Sequence, residues 1–128
     1  MKTVLIVDDS EMDQYIFNQT LKKMKMEFEI ITAFDGQEAL DIINSTDKKI
    51  DLIMLDINMP GLDGHEFLDI YSEDNTRIAP VVVMLTSSDQ TQDKEKALEF
   101  QCVKDYLVKP ITKEKIQNLT SYLEKEQQ

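Results

Sequence analysis

The chain has little sulfur chemistry to offer: one cysteine, Cys102, stands among 128 residues, so no internal disulfide can form. It is also short of positive charge. Fourteen Lys and Arg face 25 Asp and Glu, for a formal net charge of −11. Binding nucleic acid through its phosphates needs a basic face, which this composition does not supply. Anionic membrane surfaces are disfavoured for the same reason. Long apolar runs are missing too. The longest, such as Val4 to Val7 and Val81 to Leu85, are far below the roughly 20 residues of a membrane span. The opening Met1-Lys2-Thr3-Val4-Leu5-Ile6-Val7 is too short for a signal segment and runs straight into Asp8-Asp9. These absences together predict a cytoplasmic protein. Histidine is nearly absent. His65 has Glu66 beside it but no second histidine at helical spacing, so it reads as a surface helix residue rather than a metal ligand. Its isolation also argues that the chain is not a phosphohistidine donor. There is no internal repeat, low-complexity tract or linker, and the length predicts one domain spanning 1–128 with no effector domain attached.

What the chain does have is alternation. Thr3 to Asp8 is β-branched and continuous, as a strand covered on both faces should be. A helix follows over Ser10 to Met26, with Met12, Ile16, Phe17, Leu21 and Met24 assigned to its apolar stripe. Phe28 to Ala33 reads as a second strand. Asp35-Gly36 is a turn, followed by a short helix marked by Ala39, Leu40 and Ile43. Asp51 to Asp56 is a third strand, four apolar residues between two carboxylates. After the loop Asn58-Met59-Pro60-Gly61 comes a helix carrying Phe67, Leu68 and Tyr71. Pro80 opens a fourth strand, Val81 to Leu85, since proline is tolerated at a first strand position. Asp89 to Gln101 reads as a helix with few apolar residues. Lys104 to Val108 is a fifth strand, and Thr112 caps a last helix with Ile116, Leu119 and Leu123 at helical spacing. The seven methionines and Cys102 read as core filler. Five strands alternating with five helices predict an α/β fold, a doubly wound parallel sheet with helices on both faces.

In such a sheet ligands gather at the carboxyl ends of the strands, near the point where the strand order reverses. The first strand delivers Asp8 and Asp9 there, the third Asp56, the fourth Thr86 with Ser87 and Ser88, and the fifth Lys109 with Pro110. Three neighbouring carboxylates repel unless a cation intervenes. Incomplete sets of carboxylate ligands suit Mg²⁺, which keeps several waters and shares ligands with phosphate. A carboxylate can attack phosphorus to give an aspartyl phosphate. Mg²⁺, a lysine ammonium and a small hydroxyl can then neutralise the equatorial oxygens of the transferring group. Lys109 and Thr86 are the matching parts. Taken singly, each residue has an ordinary reading: a solvated helix start for Asp8-Asp9, a turn former for Asp56, a surface charge for Lys109, a helix cap for Thr86-Ser87-Ser88. Their joint occurrence at successive strand ends favours the chemical reading.

Val7-Asp8-Asp9, Leu55-Asp56-Ile57-Asn58-Met59-Pro60-Gly61-Leu62-Asp63-Gly64, Leu85-Thr86-Ser87 and Asp105-Tyr106-Leu107-Val108-Lys109-Pro110 together resemble the signature of response-regulator receiver domains of two-component systems, the CheY-like family. The resemblance runs the length of the chain. It implies a flavodoxin-like strand order of 2-1-3-4-5, with Asp56 as phosphoacceptor and Asp8, Asp9 and Asp56 around Mg²⁺, helped by the backbone carbonyl of Asn58. It further implies that Thr86 and Lys109 bond the phosphoryl oxygens, that Thr86 and Tyr106 form a coupled switch, and that Lys109-Pro110 is a cis peptide. Asn58 and Ser88 would border the water that hydrolyses the phosphoryl group. The donor would be the phosphohistidine of a histidine kinase or histidine phosphotransfer protein. A downstream target would bind through the fourth helix, fifth strand and fifth helix. The result would be a stand-alone signalling switch in a phosphorelay, not a conventional turnover enzyme. The family usually has a small pair before the fifth strand, where this chain has Gln101-Cys102.

Three other readings compete. A haloacid-dehalogenase-like aspartyl phosphatase would put its nucleophile in an Asp-x-Asp motif after the first strand and add a cap domain. A flavodoxin-like FMN carrier would need a phosphate-cradling loop where Asp8-Asp9 stands. A degenerate receiver acting as a scaffold would not need the full set of site residues.

Overall fold

Strands as apolar as Val-Leu-Ile-Val and Leu-Ile-Met-Leu must be covered on both faces, and that requirement shapes the molecule. The computed structural model describes residues 2–24, 28–47, 49–57, 59, 61–73, 81–86, 95, 103–109 and 112–118. Its elements are β1 (Lys2–Val7), α1 (Glu11–Lys23), β2 (Phe28–Ala33), α2 (Gly36–Ser45), β3 (Leu52–Asp56), α3 (Gly64–Glu73), β4 (Val81–Thr86) and β5 (Val103–Val108). Residues 113–118 form a further helical segment, started by the Thr112 hydroxyl, which accepts from Lys115 N at 3.3 Å. The sheet is wholly parallel in the order β2-β1-β3-β4-β5, as expected. The order reverses at β1, so the carboxyl ends of β1 and β3 lie side by side and open a crevice between them.

Alternation along each strand feeds two cores. Leu5, Val7, Ile53, Leu55, Val82 and Met84 meet Ala39, Leu40, Ile43, Phe67 and Leu68 from α2 and α3. Val4, Ile6, Leu52, Met54, Val83 and Leu85 meet Phe17 and Leu21 of α1 and Ile116. Each such fully buried side chain stabilises by about 1.5–3 kcal/mol over exposure. The β4–β5 pairing carries an irregularity: Val82 pairs Val103, but Val83 pairs Asp105, so Lys104 is an extra residue in β5.

Three sequence expectations need correction. The stripe of α1 is Gln14, Phe17 and Leu21 with Met24 packed beside it, not one containing Met12 and Ile16, which are 70% and 44% exposed. Gln14, three residues before Phe17, takes the inward position, and Met12, two residues earlier, faces away from it. Met12 is therefore no core filler, whereas Met54, Met59 and Met84 are. His65 is buried, because α3 starts hard against the end of β3: a Cβ on Gly64 would lie 2.8 Å from the Asp56 carbonyl oxygen. Pro80, the expected helix over Asp89 to Gln101 apart from Glu95, Cys102, Leu119 and Leu123 lie outside the described residues.

The helices start in related ways. Ser10 caps α1, its hydroxyl accepting from Asp13 N at 3.2 Å. Asp35 caps α2 through Glu38 N at 2.7 Å. At α3 the arrangement is reciprocal: Asp63 Oδ1 accepts from Glu66 N at 2.9 Å, and Glu66 Oε1 accepts from Asp63 N at 3.2 Å.

Candidate functional site

The crevice is built from the end of β1 outward. Asp8 is buried, its N–H donating to the Ala33 carbonyl at 3.0 Å and its Oδ1 accepting from Ser10 N at 2.9 Å. The turn this makes leaves Asp9 exposed beside it. Asp56 is buried at the end of β3, and Gly64 lets α3 approach its backbone. Gly61, at φ 73°, turns the intervening loop with a conformation that favours glycine. Carboxylate oxygens of Asp8, Asp9 and Asp56 all lie within 4.8 Å of one another.

Lys109 reaches this group from the end of β5. Its ammonium donates to Asp13 Oδ2 at 2.7 Å, Asp8 Oδ2 at 2.8 Å and Asp56 Oδ2 at 3.3 Å. Burial pushes its pKa down, but the hydrogen bonds to Asp13 and Asp8 and the charges of Asp56 and Asp8 more than offset this, leaving it raised above the usual lysine range. The lysine is a fixed cation at every physiological pH. Lys115 donates to the Val108 carbonyl and ties the last helical segment to this corner.

The donor set fits a hard divalent cation. It consists of carboxylate oxygens, and its spread is close to the span across a Mg²⁺ with bonds of about 2.1 Å. Among the described residues, four carboxylates stand against one ammonium here, a formal charge of −3 that invites more positive charge.

Of the residues singled out from sequence, the structure brings Asp8, Asp9, Asp56 and Lys109 together. Thr86 ends β4, next to the end of β5 through its pairing with Val108; its side chain lies outside the described parts. Tyr106 is buried in the core under α2 and α3, so its ring points into the sheet face rather than to solvent. Asn58, Ser88 and Pro110 lie outside the described residues. Sequence reasoning passed over Asp13 and Gln14. Asp13 stands three residues after the Ser10 cap, a spacing that offers its carboxylate to the helix start and hides its use elsewhere. Gln14 Nε2 lies 3.1 Å from the Ile6 and Ala33 carbonyls and 3.3 Å from that of Asp8. It fastens the ends of β1 and β2 to α1, at the cost of a buried Oε1 that finds no partner among the described residues. Its only signal was a polar residue three and seven places before Phe17 and Leu21.

The strand order and the lysine-bridged acids at the β1/β3 crevice agree with a family model, the response regulator receiver domain, that matches residues 4–121. The chain belongs to the response-regulator receiver family. Among curated relatives, it is similar to the alkaline phosphatase synthesis transcriptional regulatory protein PhoP of Bacillus subtilis (strain 168), 34% identical over 111 residues, covering 87% of this chain and 43% of PhoP. It is 30% identical to the two-component response regulator-like PRR37 of Oryza sativa over 94% of this chain and 16% of that protein. This receiver thus spans less than half the length of those relatives. Among solved structures, a two-component response regulator from Cytophaga hutchinsonii superposes with a TM-score of 0.86 at 27% identity, covering 98% of each chain. The response regulator TrrA of Thermotoga maritima, solved in complex with Mg²⁺ and BeF, superposes with a TM-score of 0.78 at 26% identity, covering 96% of this chain and 99% of that one. The receiver family is a family of signalling domains, which favours that reading over the phosphatase and flavin-carrier alternatives. Among the described residues no helix is long and apolar enough to cross a membrane.

Proposed function

We propose that this receiver is a phosphorylation switch in which Asp56 takes a phosphoryl group from a partner's phosphohistidine. An Asp56 carboxylate oxygen attacks phosphorus, the P–N bond breaks and imidazole leaves. The observation that carries this reading is the placement of the Lys109 ammonium between Asp8 and Asp56, at the crevice where β1 and β3 end. There it can follow the phosphoryl oxygens as their charge develops. Asp8, Asp9 and Asp56 would hold Mg²⁺, with the Asn58 carbonyl as a further ligand; bound there, the ion would neutralise phosphoryl oxygens. The Mg²⁺ and BeF in the TrrA complex support this.

Thr86, ending β4, would bond a phosphoryl oxygen with its hydroxyl and couple to Tyr106. Lys109-Pro110 would be a cis peptide. Asn58 and Ser88 would flank the attacking water and, being small or medium-sized and polar, leave the mark short-lived. A histidine kinase or histidine phosphotransfer protein would be the donor. The target would bind the face made by the fourth helix, β5 and the last helix. The domain would work in the cytoplasm. Intact mass after incubation with a small acyl phosphate and Mg²⁺ tests the central claim. The wild type should gain the mass of one phosphoryl group and Asp56→Asn none; equal labelling of both would refute Asp56 as the acceptor.

A further inference from the structure

Among the described residues Lys109 has three acceptors, and the shortest contact is to a carboxylate outside the metal-fitting group. Asp13 Oδ2 lies 2.7 Å from Nζ, against 3.3 Å for Asp56. Asp13 is available because the start of α1 is wired unusually. In a closed capping box the acidic side chain three residues after the cap takes the cap's own N–H. Here Asp8 Oδ1 takes the Ser10 N–H, while the Ser10 hydroxyl holds Asp13 N, so the Asp13 carboxylate is left to face Lys109. A cavity of about 40 Å³ lies against the lysine, lined by Ile6, Ile16, Phe17 and Leu85 with Asp8 and Asp13, and on its polar side the ammonium is held by its hydrogen bonds to the carboxylates.

A divalent cation drawn to Asp8, Asp9 and Asp56 would compete with Lys109 for the same oxygens and repel it. Among the described residues, Asp13 would then remain to the lysine on that side. We propose that Asp13 is a positioning residue that anchors Lys109 at the rim of the crevice, so that the lysine and a divalent cation occupy the site together instead of displacing each other. This rests on the phosphoacceptor reading for its purpose, though not for its geometry. Without Asp13, Lys109 falls back on Asp8 and Asp56, and each cation then weakens the other.

The test is a double-mutant cycle on the full chain, with Mg²⁺ alone as the probe and calorimetry as the readout. Asp13→Asn should weaken Mg²⁺ binding about tenfold, the scale of a lost charged hydrogen bond. In a Lys109→Met background the same substitution should change binding by less than about twofold, because the competitor is gone. Asp13→Glu, which keeps the carboxylate, should restore most of the loss. At saturating Mg²⁺, Asp13→Asn should also slow labelling by a small acyl phosphate about tenfold. An equal loss of Mg²⁺ affinity in both backgrounds would show that Asp13 acts only as a distant negative charge and would overturn the anchor. So would unchanged binding and labelling in Asp13→Asn. If the wild type takes no label, the phosphoacceptor reading fails, while the binding cycle still decides the role of Asp13.

Discussion

The starts of α1 and α3 share a local pattern: a capping side chain, two residues, then an acid. At α3 the pattern closes on itself, Asp63 and Glu66 satisfying each other's N–H groups at the surface. At α1 it is opened: Asp8 takes one half of the exchange and Asp13 turns to a lysine 96 residues away in sequence. The same short code serves local order in one place and long-range order in the other. What separates them is the neighbour. Asp8 precedes the α1 cap and is pinned by β1 and Ala33, so it competes for the cap N–H.

The largest break in this comparison comes from removing the lysine. Lys109→Met leaves Asp8 and Asp56 buried without their cation and should destabilise the protein by about 3 kcal/mol in urea unfolding with a chelator present. Added Mg²⁺ should return part of that, since ligands of the folded state stabilise it. A smaller break comes from Gly64→Ala, whose Cβ would sit 2.8 Å from the Asp56 carbonyl oxygen and 2.9 Å from Ile57 Cα. Backbone must move, at a loss of about 2 kcal/mol, and labelling should slow because Asp56 shifts with it. Smaller again is Glu66→Ala, which opens the exposed capping box at α3. It should lower stability by about 1 kcal/mol or less while labelling and Mg²⁺ binding stay at wild-type values. A kinetic defect in that variant would erase the distinction between the two helix starts. The smallest effect is that of pH. The folded pKa of Lys109 is raised, so its contribution is fully present below the ordinary lysine value of about 10.4 and is lost only as pH rises beyond it. Urea midpoints of wild type and Lys109→Met should run parallel from pH 7 to 9 and converge only in stronger alkali.

The sheet was legible in the sequence because both-face burial leaves continuous apolar runs, and β2 and β3 lie within a residue of their expected bounds. Asp8, Asp9, Asp56 and Lys109 were legible because strand ends are easy to locate once strands are. Asp13 and Gln14 were not. Each belongs to a helix, where an acid near the cap and a glutamine among polar neighbours look solvated, and only the tertiary structure brings β2, β5 and α1 to one corner. The α1 stripe failed for the same reason: its register is set by Gln14 reaching three carbonyls, a polar choice that apolar periodicity cannot register. His65 failed because the closeness of α3 to β3 depends on Gly64, whose missing side chain carries no hydropathy.

The extra residue in β5 sets a phase. Val103 and Tyr106 are an odd number of positions apart, yet both face the core under α2 and α3. In an unbroken strand they would face opposite sides. Lys104 absorbs the mismatch, and everything after it, through Val108 to Lys109, is advanced by one step. The strand thereby works as a vernier: its first part is indexed to the core, its second to the crevice. A chain shortened by Lys104 alone would join Val103 directly to Asp105 in the register they already hold against Val82 and Val83, leaving an unbroken strand with Tyr106 still inward and Lys109 still at the acids.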